Sequence, residues 1–114
     1  MQYKVEHNGS VAGTIPYMAP EAFKGVLTEK SDIWSCAVMM VKMLTGINPF
    51  SGQSDKDTMK NIANKILNFY EKPFSLVSNE ARDILQKIFD RNHHKRPSAA
   101  DLLTHPWFND IKPI

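Results

Sequence analysis

The sequence holds a single cysteine, Cys36, among its 114 residues. One cysteine cannot form an internal disulfide, so a disulfide scaffold is excluded and a reducing compartment is expected. Cys36 sits beside Trp34, Ala37 and Val38, which reads as a buried, inert thiol rather than a nucleophile. The four histidines and this cysteine show no C-x-x-C or H-x-x-x-H spacing, so no metal site is expected. No apolar stretch approaches the ~20 residues of a membrane span. The first residues, Met1 to His7, lack the apolar core of a signal peptide. The expected location is therefore cytoplasmic, and membrane association is not expected. An excess of charge is also missing. The formal net charge is +2, too weak a field to indicate nucleic acid as a partner. The densest basic run, His93-His94-Lys95-Arg96, is short, stops at Pro97 and reads as a loop. No run alternates apolar and polar residues as a half-buried strand would, and no internal repeat or low-complexity tract is found.

What is present is a set of helical patterns. The apolar fraction is 42%, enough for a core. Residues 1–12 are polar, contain Asn8-Gly9-Ser10, and read as an irregular surface segment. Pro20 can open a short helix over Glu21 to Gly25, since the first helical N–H has no partner in any case. Ser31 to Thr45 carries apolar residues on nearly every face, including Ile33, Trp34, Val38, Met39, Met40, Val41, Met43 and Leu44. A helix of that kind is buried all round, with Gly46 as its stop. A further helix is capped by Ser54 or Asp55 and runs to about Leu67, with Met59, Ile62, Ala63 and Ile66 as its apolar stripe. Ser78 caps another, to about Asp90, with Ala81, Ile84, Leu85, Ile88 and Phe89 on one face. Ser98-Ala99-Ala100-Asp101 has the form of a capping box, and that last helix stops before Pro106. The fold class is all-α, with helices packed around one central buried helix.

Several short segments in order carry a resemblance. Gly13-Thr14-Ile15-Pro16-Tyr17-Met18-Ala19-Pro20-Glu21 resembles the G-T-x-x-Y-x-A-P-E segment that closes the activation loop of protein kinases. Asp32-Ile33-Trp34-Ser35 resembles the kinase D-x-W-S, and Gly46 to Phe50 resembles G-x-x-P-F. Arg96-Pro97 and His105-Pro106-Trp107-Phe108 complete the series, the last being similar to the calcium/calmodulin-dependent and calcium-dependent kinases. The resemblance implies the lower part of a protein kinase C-lobe over residues 13–110, preceded by an activation-loop remnant (1–12) and followed by a short tail (111–114).

The resemblance assigns roles residue by residue. Glu21 matches a carboxylate that pairs with the arginine matching Arg96, whose planar fork suits bidentate binding. Asp32 matches the aspartate that anchors the catalytic loop through backbone N–H groups, and read without the family it is a helix-start acid favoured by the dipole. Met39 and Met43 match two positions beneath the adenine stack, and from composition alone they are core methionines. Thr14 matches a hydroxyl beside the catalytic aspartate and lysine and goes with serine or threonine acceptors, while Gly13 and Tyr17 shape the pocket for the residue after the acceptor. Ser10 stands where many kinases carry an activating phosphosite, and it reads equally as a surface serine. Ala37 replaces a usual glycine. Lys42 replaces a glutamate that reads substrate arginine in some relatives, so no arginine preference is expected through it.

A working kinase also needs a Gly-rich loop, a strand lysine paired with a helix glutamate, an H-R-D loop and a D-F-G aspartate for Mg²⁺. None occurs in this sequence. ATP and Mg²⁺ are thus expected to serve the parent enzyme, a serine/threonine kinase, and not to bind this segment, which alone is expected to be inactive. Two readings stay open: part of an active kinase that supplies the protein-substrate platform, or a stand-alone helical binding module. The expected partners are protein substrates, the N-lobe and upper C-lobe of the kinase fold, and further copies of this chain, since apolar surface without cover drives association.

Overall fold

The computed structural model describes residues 15–108. Two 3₁₀ turns, Ile15–Tyr17 and Pro20–Lys24, lead into helix α1 (Glu29–Thr45). Helix α2 (Asp55–Asn64), a 3₁₀ turn (Phe74–Leu76), α3 (Asn79–Ile88), α4 (Ala99–Leu103) and a last 3₁₀ turn (Pro106–Phe108) follow. No strand occurs among the described residues.

The caps explain the boundaries. Pro20 opens its turn and Gly25, at φ 80°, closes it in the left-handed region, where glycine carries no Cβ penalty. Helix α1 begins two residues before the Ser31 start expected from sequence. Thr28 is its N-cap, taking the Ser31 N–H, while the Ser31 side chain takes the Thr28 N–H in return. Gly46 ends the helix at φ 77°. Ser54, Ser78 and Ser98 cap α2, α3 and α4, the last in the reciprocal arrangement with Asp101.

The core is an aromatic cluster around α1. Trp34 stacks on Phe50 at 5.2 Å between centroids and meets the edge of Phe89 at 5.0 Å. Phe50 and Phe89 meet edge to face at 5.3 Å, and Phe74 joins them at 6.0 Å from Phe89. Such offset and edge contacts suit the ring quadrupoles and add about 0.5–1.5 kcal/mol each beyond burial. Ala37, Val38, Val41, Ile62, Ile84, Leu85 and Ile88 fill the space between.

Two expectations need correction here. Helix α1 is the axis of the fold, but its cover is one-sided. Ser31, Trp34, Ser35, Ala37, Val38 and Val41 are buried, whereas Cys36 is exposed and Met43 and Leu44 are 85% and 58% exposed. Cys36 is therefore not a buried thiol, and Met43 is not a core methionine. Apolarity on all faces cannot say which faces find a neighbour. Helix α2 ends at Asn64 rather than near Leu67. Of its supposed stripe only Ile62 is buried; Ala63 is exposed and Met59 and Ile66 are 38% and 92% exposed. The cause is Arg91. Its Nε donates to the Ile62 carbonyl at 2.7 Å, and its Nη2 donates to the Asn61 and Lys65 carbonyls. One guanidinium thus takes the carbonyls that a further turn of helix would have needed.

Candidate functional site

The site is built on the segment from Ile15 to Lys24, held down at both ends. Glu21 is only 7% exposed and Arg96 only 1%. Arg96 Nη1 donates to Glu21 Oε2 at 2.8 Å, and Nη2 donates to Oε1 at 3.2 Å, a bidentate pair across 75 residues of sequence. The other three guanidinium N–H groups are also used: Nε and Nη2 donate to the Asp90 carbonyl and Nη1 to the Lys30 carbonyl. A guanidinium has five N–H donors, and here each has an acceptor. Arg96 also lies 5.0 Å from the centre of the Trp34 ring, so the cation rests on the aromatic core. Glu21 accepts one more hydrogen bond, from Ser31 Oγ at 2.6 Å.

Burial alone would raise the Glu21 pKa. The hydrogen bonds from Arg96 and Ser31, with the attraction of the arginine charge, outweigh it and hold the carboxyl below the ordinary glutamate value. Glu21 is thus ionised in the folded chain at neutral pH. Removing one member of such a buried pair strands the other and costs roughly 3–5 kcal/mol.

The N-terminal end of the segment is pinned by α1 and the loop after it. Ser35 Oγ donates to the Tyr17 carbonyl at 2.6 Å, and Asn48 Nδ2 donates to the Pro16 carbonyl at 3.4 Å. Lys42 Nζ donates to the Tyr17 hydroxyl at 3.1 Å and lies over its ring. The sequence marked Tyr17 and Lys42 separately and gave no hint that they meet. Within this segment Met18, Ala19 and Ala22 are fully or almost fully buried. Asp32 lies in the first turn of α1. Gly13, Thr14 and Ser10 lie outside the described residues.

The remaining markers are structural. Pro49 and Phe50 are buried, and their carbonyls accept hydrogen bonds from Lys65 and Asn61. Gly52 leaves no room for a side chain, since a Cβ there would stand 2.7 Å from Asp57 Cβ. His105 accepts the Trp107 N–H at Nδ1, so its proton is on Nε2, which donates to Asp83 at 2.6 Å. That contact lowers the Asp83 pKa and ties α3 to the last turn.

An all-α lobe in which a buried acid–arginine pair clamps a segment of two 3₁₀ turns to the last helices defines the class: the lower C-lobe of a protein kinase. The protein kinase domain family model matches residues 1–108, and the chain belongs to that family. It is 38% identical over 101 residues to a calcium and calcium/calmodulin-dependent serine/threonine-protein kinase of Lotus japonicus, covering 88% of this chain and 20% of that protein. It is 34% identical over 100 residues to myosin light chain kinase 2 of Bos taurus, covering 87% of this chain and 16% of that protein. Among solved structures, the twitchin kinase fragment of C. elegans superposes with a TM-score of 0.76 at 29% identity, over 86% of this chain and 22% of that one. The chain thus spans about a fifth of the length of these relatives. The likeness is to kinases of the calcium-dependent and myosin light chain type. No helix among the described residues is long and apolar enough to cross a membrane.

Proposed function

We infer that this chain is the peptide-substrate platform of a serine/threonine kinase catalytic domain. The whole enzyme transfers the γ-phosphoryl group of ATP to serine or threonine of protein substrates, and these 114 residues alone transfer nothing. The observation that carries this reading is the clamp: the Glu21–Arg96 pair at one end and the Ser35–Tyr17 contact at the other fix the segment that in kinases faces the substrate. Gly13, Thr14 and Tyr17 would form the floor under the residues around the acceptor, with Thr14 bringing its hydroxyl to the acceptor side. A fixed shelf lowers the entropy lost when a flexible peptide is aligned. Phosphate on Ser10 would add negative charge to the stretch leading into that shelf.

ATP and Mg²⁺ serve the whole enzyme. The described residues bring together no group of three His, Cys, Asp or Glu able to hold a metal ion. Asp32 would act in the whole domain by steadying the loop that carries the catalytic aspartate.

The exposed Met43 and Leu44 at the end of α1 favour self-association of the isolated chain through that face. Lys42, engaged with Tyr17, offers a cation where a substrate arginine would need an anion. A positional peptide library on the whole kinase should show no arginine requirement that disappears with Lys42→Ala.

The test is an assay with labelled ATP and a serine/threonine peptide. An enzyme that joins this chain to a kinase segment carrying H-R-D and D-F-G motifs should phosphorylate the peptide, and Thr14→Ala should reduce turnover. The 114-residue chain alone should show no transfer. Transfer by the chain alone, or a joined enzyme that binds partners but never phosphorylates, would overturn the reading.

A further inference from the structure

The clamp leaves a second surface unexplained. A cleft of about 480 Å³ lies between the Pro20–Lys24 turn, the end of α2 and the loop after α3. Its basic side chains are Lys24, Arg91, His93 and His94. Among the described residues none of the four forms an ion pair. Arg91 spends its Nε and Nη2 on the carbonyls at the end of α2, and among the described residues its Nη1 has no acceptor. That guanidinium is fixed in place with one donor arm uncommitted. The one carboxylate in the wall, Glu21, is already engaged by Arg96 and Ser31. His93 and His94 also border an adjoining recess with Glu29 and Lys30, and Asp90 precedes Arg91 on the same loop with its Oδ1 on the Asn92 N–H.

The loop that carries the histidines is rigid. Asp90 accepts the Asn92 N–H, Asn92 accepts the His94 N–H, and Lys30 Nζ donates to the His94 carbonyl. The two imidazoles lie against each other at 4.1 Å, and among the described residues their ring nitrogens have no partner. A guanidinium fixed by three hydrogen bonds, two imidazoles on a hydrogen-bonded loop and the exposed Lys24 ammonium form an arrangement ready for an anion. Beside them Pro20, Val26 and Ala63 give the cleft an apolar wall. A bare ion has no use for that wall, and the small net charge of +2 gives little long-range attraction for a polynucleotide.

We propose that this cleft is a docking site for a peptide segment bearing an anionic side chain, a phosphoserine or a carboxylate, next to an apolar residue. The site shares no residue with Gly13, Thr14 or Tyr17, although Pro20, Glu21 and Lys24 in its wall belong to the same clamped segment, and the binding test below reads it without phosphoryl transfer.

The test uses the full chain and three labelled peptides identical except at one position: phosphoserine, glutamate or alanine, followed by leucine. Fluorescence anisotropy without ATP should show the phosphoserine peptide binding about tenfold tighter than the alanine peptide, with glutamate between, because charge-assisted hydrogen bonds are roughly twice as strong as neutral ones. The paired reversal Lys24→Glu with His94→Glu should remove that difference, and Lys42→Ala should leave it. Arg91 is kept, because it also ends α2; its role is read from movement of its side-chain Nε signal on titration. Raising salt from about 0.05 to 0.5 M should weaken the phosphoserine complex. Equal binding of the three peptides, or a preference that survives the charge reversal, overturns the proposal. So does inorganic phosphate that displaces the peptide as well as unlabelled peptide does, since the cleft would then hold a bare ion.

Discussion

The two ends of α1 have much the same composition and opposite surroundings. From Ser31 to Val41 one face of the helix is locked in, with Cys36 left exposed on the other: Trp34 lies under Arg96 and against Phe50 and Phe89, Ser35 holds the Tyr17 carbonyl, and Val38 and Val41 are fully covered. From Lys42 to Leu44 the helix is wet, with Met43 85% exposed. The difference lies in what folds back on the helix. Its first turns receive the Glu21 segment, the Arg96 loop and α3, while its last turn reaches that segment through Lys42 and Tyr17 and leaves Met43 and Leu44 exposed. Apolar residues supply the driving force for burial, and distant polar residues decide where it is used.

The largest expected effect breaks the covered end. Arg96→Ala should lower stability by roughly 3–5 kcal/mol in urea unfolding, because Glu21 is left charged and buried. A loss under about 1 kcal/mol, the range of exposed pairs, would contradict the clamp. Arg96→Lys should rescue little, since an ammonium has three donors for five positions.

A sharper comparison uses two residues three apart on α1. Val41→Ala removes buried methyl groups and should cost roughly 1–3 kcal/mol. Leu44→Ala should change stability by less than about 0.5 kcal/mol, yet reduce self-association measured by sedimentation. Equal costs would mean that α1 is covered evenly.

Acid gives a third handle. The Glu21 pKa is lowered by folding from an ordinary value of 4.5. Its contribution to stability is therefore complete above about that pH and is lost as the pH falls through the lower folded-state value. Glu21→Gln should flatten this part of the stability–pH curve. An unchanged acid limb would place the titration elsewhere. The smallest effect expected is that of Met43→Ser, which should leave the urea midpoint almost unmoved while favouring the monomer.

Much of this was legible in the sequence because the signals were local. Serines at 54, 78 and 98 capped the helices they preceded, Gly46 stopped α1, and the spacing of Ala81, Ile84, Leu85 and Ile88 marked the buried face of α3. The Glu21–Arg96 contact was reached through motif resemblance, since no periodicity links residues so far apart. What stayed hidden was long-range and polar. Arg91 ends α2 by taking its carbonyls, and nothing in residues 55–67 announces an arginine two loops away. The exposure of Cys36 and Met43 was hidden for the complementary reason: an apolar helix does not record which of its faces goes uncovered. The meeting of Lys42 with Tyr17 likewise needs the turn before α1 to be placed first.

The most direct measurement is a double-mutant cycle on Glu21 and Arg96, using Glu21→Gln and Arg96→Met at one fixed protein concentration in urea. If the two side chains form one buried unit, the double variant should be no less stable than the worse single variant, with a coupling of about 1.5 kcal/mol or more. Losses that simply add would show two independent side chains, and the substrate shelf would then have no clamp.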